Sequence, residues 1–315
     1  MAVNRKSWKD KEMGLAEAVG EYLHDGDSFT IGGMGARDPF AVAYEIIRQK
    51  KRHLTLTVPG VIDIGSMLVG SGCIDRFEGA YCGISVVGTE NCFRRAREKG
   101  IPHPVEVEEY TNLTASLRFL AGSMKVPFMP TKSLLGSDIP TYNKSIRVID
   151  DPYGSGPVAL VRASNPDVAF IHVQRADLEG NGQIFGILVS DPTLARAAKH
   201  VVLTCEEIVP SQEIRKNPQM TSIPSYCVDA VVKVPFASHP MWCAGYYCCD
   251  IPFRYQFAQA AKTKEGYDAF VKEWVFDTGS WDGFLDKLGR ERLERLVQME
   301  RENYTIPLTY REGAM

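Results

Sequence analysis

No run of about 18 consecutive apolar residues occurs in this 315-residue sequence, which argues against a membrane-spanning helix. A basic excess is missing as well. Lys and Arg number 36 against 39 Asp and Glu, a formal charge of −3, so the chain carries no electrostatic footprint for nucleic acid. Paired metal-ligand spacings are also absent. The eight cysteines include no CxxC pair, and the six histidines form no HxxxH or HExxH pair. No metal site is therefore expected, and the cysteines read as reduced, packed thiols. The opening stretch, MAVNRKSWKDKEMG, lacks the apolar segment of a secretory leader, so a cytoplasmic protein is expected.

What is present is a repeating α/β grammar. Leu15, Ala18, Val19, Tyr22 and Leu23 mark one apolar helix face. Asp25-Gly26-Asp27 ends that helix and turns into a short strand, Ser28 to Ile31. After Gly32-Gly33-Met34-Gly35-Ala36-Arg37, a second helix opens at Asp38-Pro39 and buries Phe40, Ala43, Tyr44 and Ile47. Leu54 to Val58 reads as the next strand. Asp167 to Ile171, His200 to Thr204 and Val228 to Val234 are further apolar strands of the kind buried on both faces. A helix is expected from Asp191-Pro192 to Ala198, and amphipathic helices around Tyr267 to Trp274 and Trp281 to Leu288. The order predicts one α/β domain over 1–315, a three-layer, open, mostly parallel sheet with helices on both faces. Residues 1–14 would be an N-terminal extension and 300–315 a C-terminal tail. Asp150 to Pro157, rich in glycine and proline, reads as a surface loop within that domain.

Six places offer candidate chemistry, and not all of them keep it. The loop Gly32 to Arg37 sits between a strand and a helix, where peptide N–H groups and the helix dipole favour an anion or a carbonyl oxygen. It is not a dinucleotide fingerprint, because Asp38 stands where the third small residue belongs. A tight structural turn is the competing reading, and Arg37 with its forked donors tilts the balance towards a ligand site. Gly154 to Ala159 fits GxGxxA but leads into a strand. Glu108-Glu109 and Glu206-Glu207 are adjacent carboxylates, so at most one of each pair faces a site. Glu206-Glu207 would follow a buried strand at the sheet's carboxyl edge, where ligands bind in such folds. His172 ends a buried strand and is read as a hydrogen-bonded structural group or a base. Cys205 has no basic partner nearby in sequence and reads as a packed thiol.

Several of these segments are recognisable together. Ile171-His172-Val173-Gln174-Arg175-Ala176-Asp177-Leu178-Glu179-Gly180-Asn181 resembles a motif of family I CoA-transferases, and Ile31 to Gly35 looks like their N-terminal glycine loop. Thr204 to Val209, Tyr226 to Val232, Ala237 to Pro240 and Lys272 to Asp277 are similar to the A-type (α) half of the glutaconate CoA-transferases of that family. The likeness runs in order from about Leu15 to about Leu296.

The resemblance implies one half of a two-subunit enzyme, with the active site between this chain and a B-type subunit. A glutamate of the B-type half attacks the acyl-CoA, and an acyl-glutamyl anhydride and a glutamyl-CoA thioester follow. That glutamate belongs to a Ser-Glu-Asn-Gly stretch, which this chain lacks; Gly88-Thr89-Glu90-Asn91-Cys92 is the nearest look-alike, and Glu90 is not assigned the role. The implied activity is acyl-CoA:carboxylate CoA transfer on a small (di)carboxylic acid such as glutaconate. Coenzyme A thioester is then substrate, with no permanently bound cofactor, and a heterotetramer or larger assembly is expected. Gly32, Gly33, Met34 and Gly35 would lie at the thioester carbonyl, and Arg37 would hold a substrate carboxylate. A second branch of the superfamily implies ring-cleaving hydrolysis or decarboxylation, with Glu109 or Glu108 as base. A non-catalytic scaffold subunit is the alternative from another class.

Overall fold

The computed structural model describes residues 10–303. Seven parallel strands form its centre, in spatial order Ala230–Lys233, His200–Ile208, Val168–Ala176, Ser28–Ile31, Leu54–Thr57, Ile74–Gly79 and Glu106–Glu109. Side chains along a strand alternate between faces, and the core divides accordingly. Val168 and Phe170 join one apolar cluster with Phe29, Leu56 and Val202. Ala169, Ile171 and Val173 join another with Val201, Leu203 and Phe119. The first face is covered by Leu15–Tyr22, Phe40–Arg48, Ile64–Gly70 and the C-terminal helices; the second carries Asn112–Ser123 and Asp191–Ala197. The fold is thus the expected three-layer, mostly parallel α/β sheet in one domain.

Two strands run further than their apolar runs suggest. The expected strand to Ile171 continues to Ala176, and the one to Thr204 continues to Ile208, because the two remain paired, with His172 opposite Thr204 and Arg175 opposite Glu207. Glu206 and Glu207 therefore lie within a strand rather than after it, and the alternation puts Glu206 inside and Glu207 outside. Asp150 to Pro157 closes an antiparallel pairing of Ile146–Asp150 with Pro157–Arg162, part of a small three-stranded sheet. Lys264–Val271 passes into a π-helical turn, Lys272–Phe276, which carries Trp274 into the aromatic cluster. Helix Arg290–Asn303 enters the stretch assigned to the C-terminal tail; the rest of that tail, and residues 1–9 of the N-terminal extension, fall outside the described residues. Among the described residues no helix is long and apolar enough to cross a membrane.

Candidate active site at the carboxyl edge of the sheet

The strand Ser28–Ile31 ends at the middle of the sheet, and the chain must turn there into helix Phe40–Arg48. It does so through four positive-φ residues: Gly33 (102°), Met34 (46°), Gly35 (91°) and Arg37 (63°). Glycine is required where the turn is tightest. A Cβ on Gly33 would meet the Ala36 carbonyl oxygen at 2.6 Å, and one on Gly32 would meet Asp191 Oδ1 at 2.0 Å. Met34 and Gly35 form the half-exposed tip; the residues on either side are buried.

Neighbouring strand ends complete the edge. Gly60, beyond strand Leu54–Thr57, allows close approach: a Cβ there would lie 3.2 Å from Met34 Cε and 3.3 Å from Asn112 Oδ1. Asn112 is exposed in the first turn of helix Asn112–Ser123, whose N-cap Thr111 accepts from the Thr114 amide. Ile187, Leu188 and Val189 lie exposed beside the loop, tied to it by a 2.6 Å hydrogen bond from Arg37 Nη2 to the Ile187 carbonyl. Ser190 contacts Ser116 of helix Asn112–Ser123 at 3.3 Å, so this segment, the helix and the loop are contiguous.

Arg37 turns inward, not towards the open side. It is 1 % exposed. Its Nη1 donates to the His172 carbonyl at 2.9 Å, and Nη2 also reaches Asp191 Oδ2 at 3.2 Å. The expectation that it presents donors to a substrate carboxylate is thereby corrected. The buried strand end and helix Asp191–Ala197 take the guanidinium instead. Asp191 lies 154 positions away in the chain, and no sequence signal links the two. Burial raises the Asp191 carboxyl above its ordinary value, opposed by Arg37.

Glu108 and Glu109 part company as adjacent strand residues must. Glu108 faces a charged cluster in which it accepts from Arg76 and the Tyr110 hydroxyl, while Arg118 Nη2 pairs with Glu78 at 2.9 Å. Burial would raise its carboxyl, but Tyr110, Ser145, Arg118 and Arg76 together hold it below the usual value. Glu109 is exposed, three residues before Asn112, and among the described residues its carboxylate has no hydrogen-bond or ion-pair partner. Glu90 accepts from the amides of Phe93 and Arg94 at 2.8 and 2.9 Å, which makes it an anchor for helix Cys92–Lys99.

Beneath the loop lies a polar core. His172, fully buried, contacts Thr204 Oγ1 through Nδ1 and Glu206 Oε1 through Nε2, both at 2.9 Å. Tyr247 and the Phe236 amide donate to the same carboxylate at 2.7 and 2.8 Å. Cys243 approaches closely enough for His172, Glu206 and Cys243 to offer ligand atoms within 4.8 Å of one another. The Cys243 thiol is pushed well up by burial, and the Glu206 oxygens already accept three donors, so the set is built as a hydrogen-bonded core. Cys205 is fully buried and its thiol is likewise raised by burial, an inert packed group.

A parallel α/β sheet with a positive-φ glycine loop at its carboxyl edge places a candidate ligand site where open α/β folds bind their ligands. Residues 12–234 match the Coenzyme A transferase family model, and the chain belongs to that family. It is 35% identical to the A-type half of glutaconate CoA-transferase from Acidaminococcus fermentans, over 95% of this chain and 98% of that protein. The crystal structure of that enzyme superposes with a TM-score of 0.86, covering 95% of this chain and 99% of its counterpart. An uncharacterised protein of Archaeoglobus fulgidus is 39% identical over 93% of this chain, which spans only 65% of that protein's length. The decarboxylase AibA/AibB also matches, with 29% identity and a TM-score of 0.70, over 84% of this chain and 99% of its counterpart.

Proposed function

We propose that this chain is the A-type half of a two-subunit CoA-transferase that moves CoA from an acyl-CoA to a small (di)carboxylic acid such as glutaconate. The nucleophilic glutamate is supplied by a B-type partner, within a heterotetramer or larger assembly. One observation carries the reading: beside the half-exposed loop tip lie the exposed apolar residues Ile187 (59 %), Leu188 (41 %) and Val189 (41 %), with Leu113 (54 %) exposed next to Asn112. Apolar side chains around a polar loop mark a surface meant to be covered. The close look-alike of the family's nucleophile, Glu90, is engaged as a helix anchor. The glycine loop lies against the thioester and stabilises the oxyanion of each acyl transfer. Arg37 supports the loop from behind rather than touching substrate, and Gly32 and Gly33 let its support approach closely. Bound coenzyme A is substrate and leaves with each turnover.

The purified chain alone should transfer no CoA from acetyl-CoA to glutaconate, and addition of its B-type partner should restore transfer. Full activity from the isolated chain overturns the shared-site reading.

A second reading has its own support. Glu109 is an exposed carboxylate at the same edge, unpartnered among the described residues, as a base for hydrolysis or C–C cleavage would be. In the complex, Glu109→Gln leaves CoA transfer within a few-fold if the partner's glutamate is the nucleophile. If the parent complex instead hydrolyses or decarboxylates an acyl-CoA, and Glu109→Gln lowers that rate roughly 100-fold or more, Glu109 is the base and the enzyme a hydrolase or lyase. If Glu109→Gln leaves turnover unchanged, and Arg37→Ala weakens assembly while the complex that still forms keeps its turnover, the chain is a scaffold.

A further inference from the structure

The loop's peptide donors are engaged one by one. Gly32 N–H donates to the Phe170 carbonyl at 2.9 Å, Ala36 to Gly33 at 3.2 Å and Arg37 to Trp242 at 3.0 Å. Two others go to side chains. Gly33 N–H donates to Asp191 Oδ1 at 3.1 Å, and Gly35 N–H to Asp38 Oδ2 at 2.7 Å. The amides of Met34 and Asp38 have no acceptor among the described residues; Asp38 is 1 % exposed, whereas Met34 is at the half-exposed tip. The Met34 N–H, between two clamped glycine amides, is the loop donor left for a ligand.

We propose that Asp38 and Asp191 are positioning residues: by holding the amides on either side of Met34 from within, they fix the Met34 N–H as the donor that receives the thioester oxygen as it becomes an oxyanion. This rests on the CoA-transferase reading above. An N–H fixed before reaction stabilises developing charge without reorganising, which a loop free to turn would not do. The nearby charges support such a role. Asp191 is paired with Arg37, so that pair brings no net charge to the loop. Asp38 has no such ion pair among the described residues. Its Oδ1 is buried there without a hydrogen bond, and the groups facing it are Asp63, itself held by Arg254 at 2.6 Å, together with Arg37 and Asp191. Burial pushes its carboxyl up to about 8, against the pull of the Gly35 amide. At neutral pH Asp38 is therefore a neutral acid, whose carbonyl oxygen accepts from Gly35 and whose hydroxyl brings no negative charge to the forming oxyanion. Above about 8 it ionises beside Asp63 and Asp191; the Gly35 amide then holds it more tightly, but its negative charge opposes the forming oxyanion.

Two measurements on the two-subunit complex test this. Hydrogen–deuterium exchange over residues 32–38 should quicken about tenfold in Asp38→Ala and in Asp191→Ala, as loss of one amide acceptor predicts. With acetyl-CoA and glutaconate, Asp38→Ala should lower kcat by roughly 100-fold with KM within about twofold. Asp38→Asn, which keeps the acceptor oxygen, should restore most of that loss and show no fall in kcat above pH 8, where the parent enzyme declines. The proposal is overturned by unchanged exchange in both alanine variants, by kcat and KM moving together, or by an alkaline decline retained in Asp38→Asn. A parent complex that transfers no CoA fails the functional reading alone, since exchange still decides whether the two carboxyls hold the loop.

Discussion

The two ends of helix Phe40–Arg48 are built from opposite materials. At its start, the glycine loop is held by hydrogen bonds and charge, through Asp38, Asp191 and Arg37, and its backbone sits largely at positive φ. Further along, Tyr44 packs on Phe284 and Trp281 at ring-centroid distances of 5.1 and 5.4 Å, inside a cluster of Phe253, Phe270 and Trp274. The aromatic side is nondirectional and dense, so its removal is felt in stability. The loop side buries little apolar area, yet each of its bonds fixes an orientation, so its loss is felt in rate. Stability and function are thus carried by different interactions a few residues apart.

The largest expected effect tests the aromatic side. Phe284 is fully buried and meets Tyr44, Phe253, Trp274 and Trp281. Phe284→Ala should cost about 3–5 kcal/mol of unfolding free energy, read by denaturant titration. The folded fraction of that variant should keep its turnover in the complex; a large loss of kcat there would break the division. Gly32→Ala tests the other side. Its methyl would lie 2.0 Å from Asp191 Oδ1, so the loop must move by the order of an ångström. Turnover should fall roughly 100-fold while the denaturation midpoint shifts far less than in Phe284→Ala.

The two sides were not equally legible in the sequence. Helix Phe40–Arg48 and the aromatic helices follow from local periodicity, which Phe40, Ala43, Tyr44 and Ile47, or Trp281, Phe284 and Leu288, display plainly. The glycine loop was also locatable, since strand, glycines and Asp-Pro occur in order. What holds it was not. Asp191 meets Gly33 across 158 positions, and nothing local marks a helix-opening Asp-Pro as a clamp for a distant loop. In the sequence Asp38 reads only as a helix-opening residue that breaks a dinucleotide fingerprint, because its protonation depends on burial that only the fold creates. The longer reach of strand His200–Ile208 escaped for a similar reason: Glu206 is polar, and its burial is made tolerable by His172, Tyr247 and Phe236 from elsewhere in the chain.

A smaller effect is expected where polar bonds occur within the aromatic side. Asp250 caps the Phe253 amide at 3.1 Å and takes Arg292 through both oxygens at 2.6 and 2.8 Å. Burial works against its charge, but His239 and Arg292 hold its carboxyl well below the usual range. Asp250→Asn keeps a capping oxygen and loses the ion pair, so about 1–3 kcal/mol of stability should go, with turnover intact.

The smallest effect is a slope. His239 is fully buried, its Nε2 sits 2.9 Å from Asp250, and its Nδ1 has no partner among the described residues. Burial pulls the imidazole below its ordinary value, against the raising influence of Asp250. A second proton would have to sit on Nδ1, where no acceptor waits, so the folded protein resists protonation that the unfolded chain accepts near 6.5. Below that pH the unfolded state binds more protons, and stability falls as pH falls. The melting temperature should therefore drop between about pH 7.5 and pH 5.5, and His239→Gln should flatten part of that drop although it melts lower throughout. If the slope is unchanged in His239→Gln while Asp38→Asn alters the alkaline side, the titrating groups that matter lie at the loop, and the aromatic side is indifferent to pH.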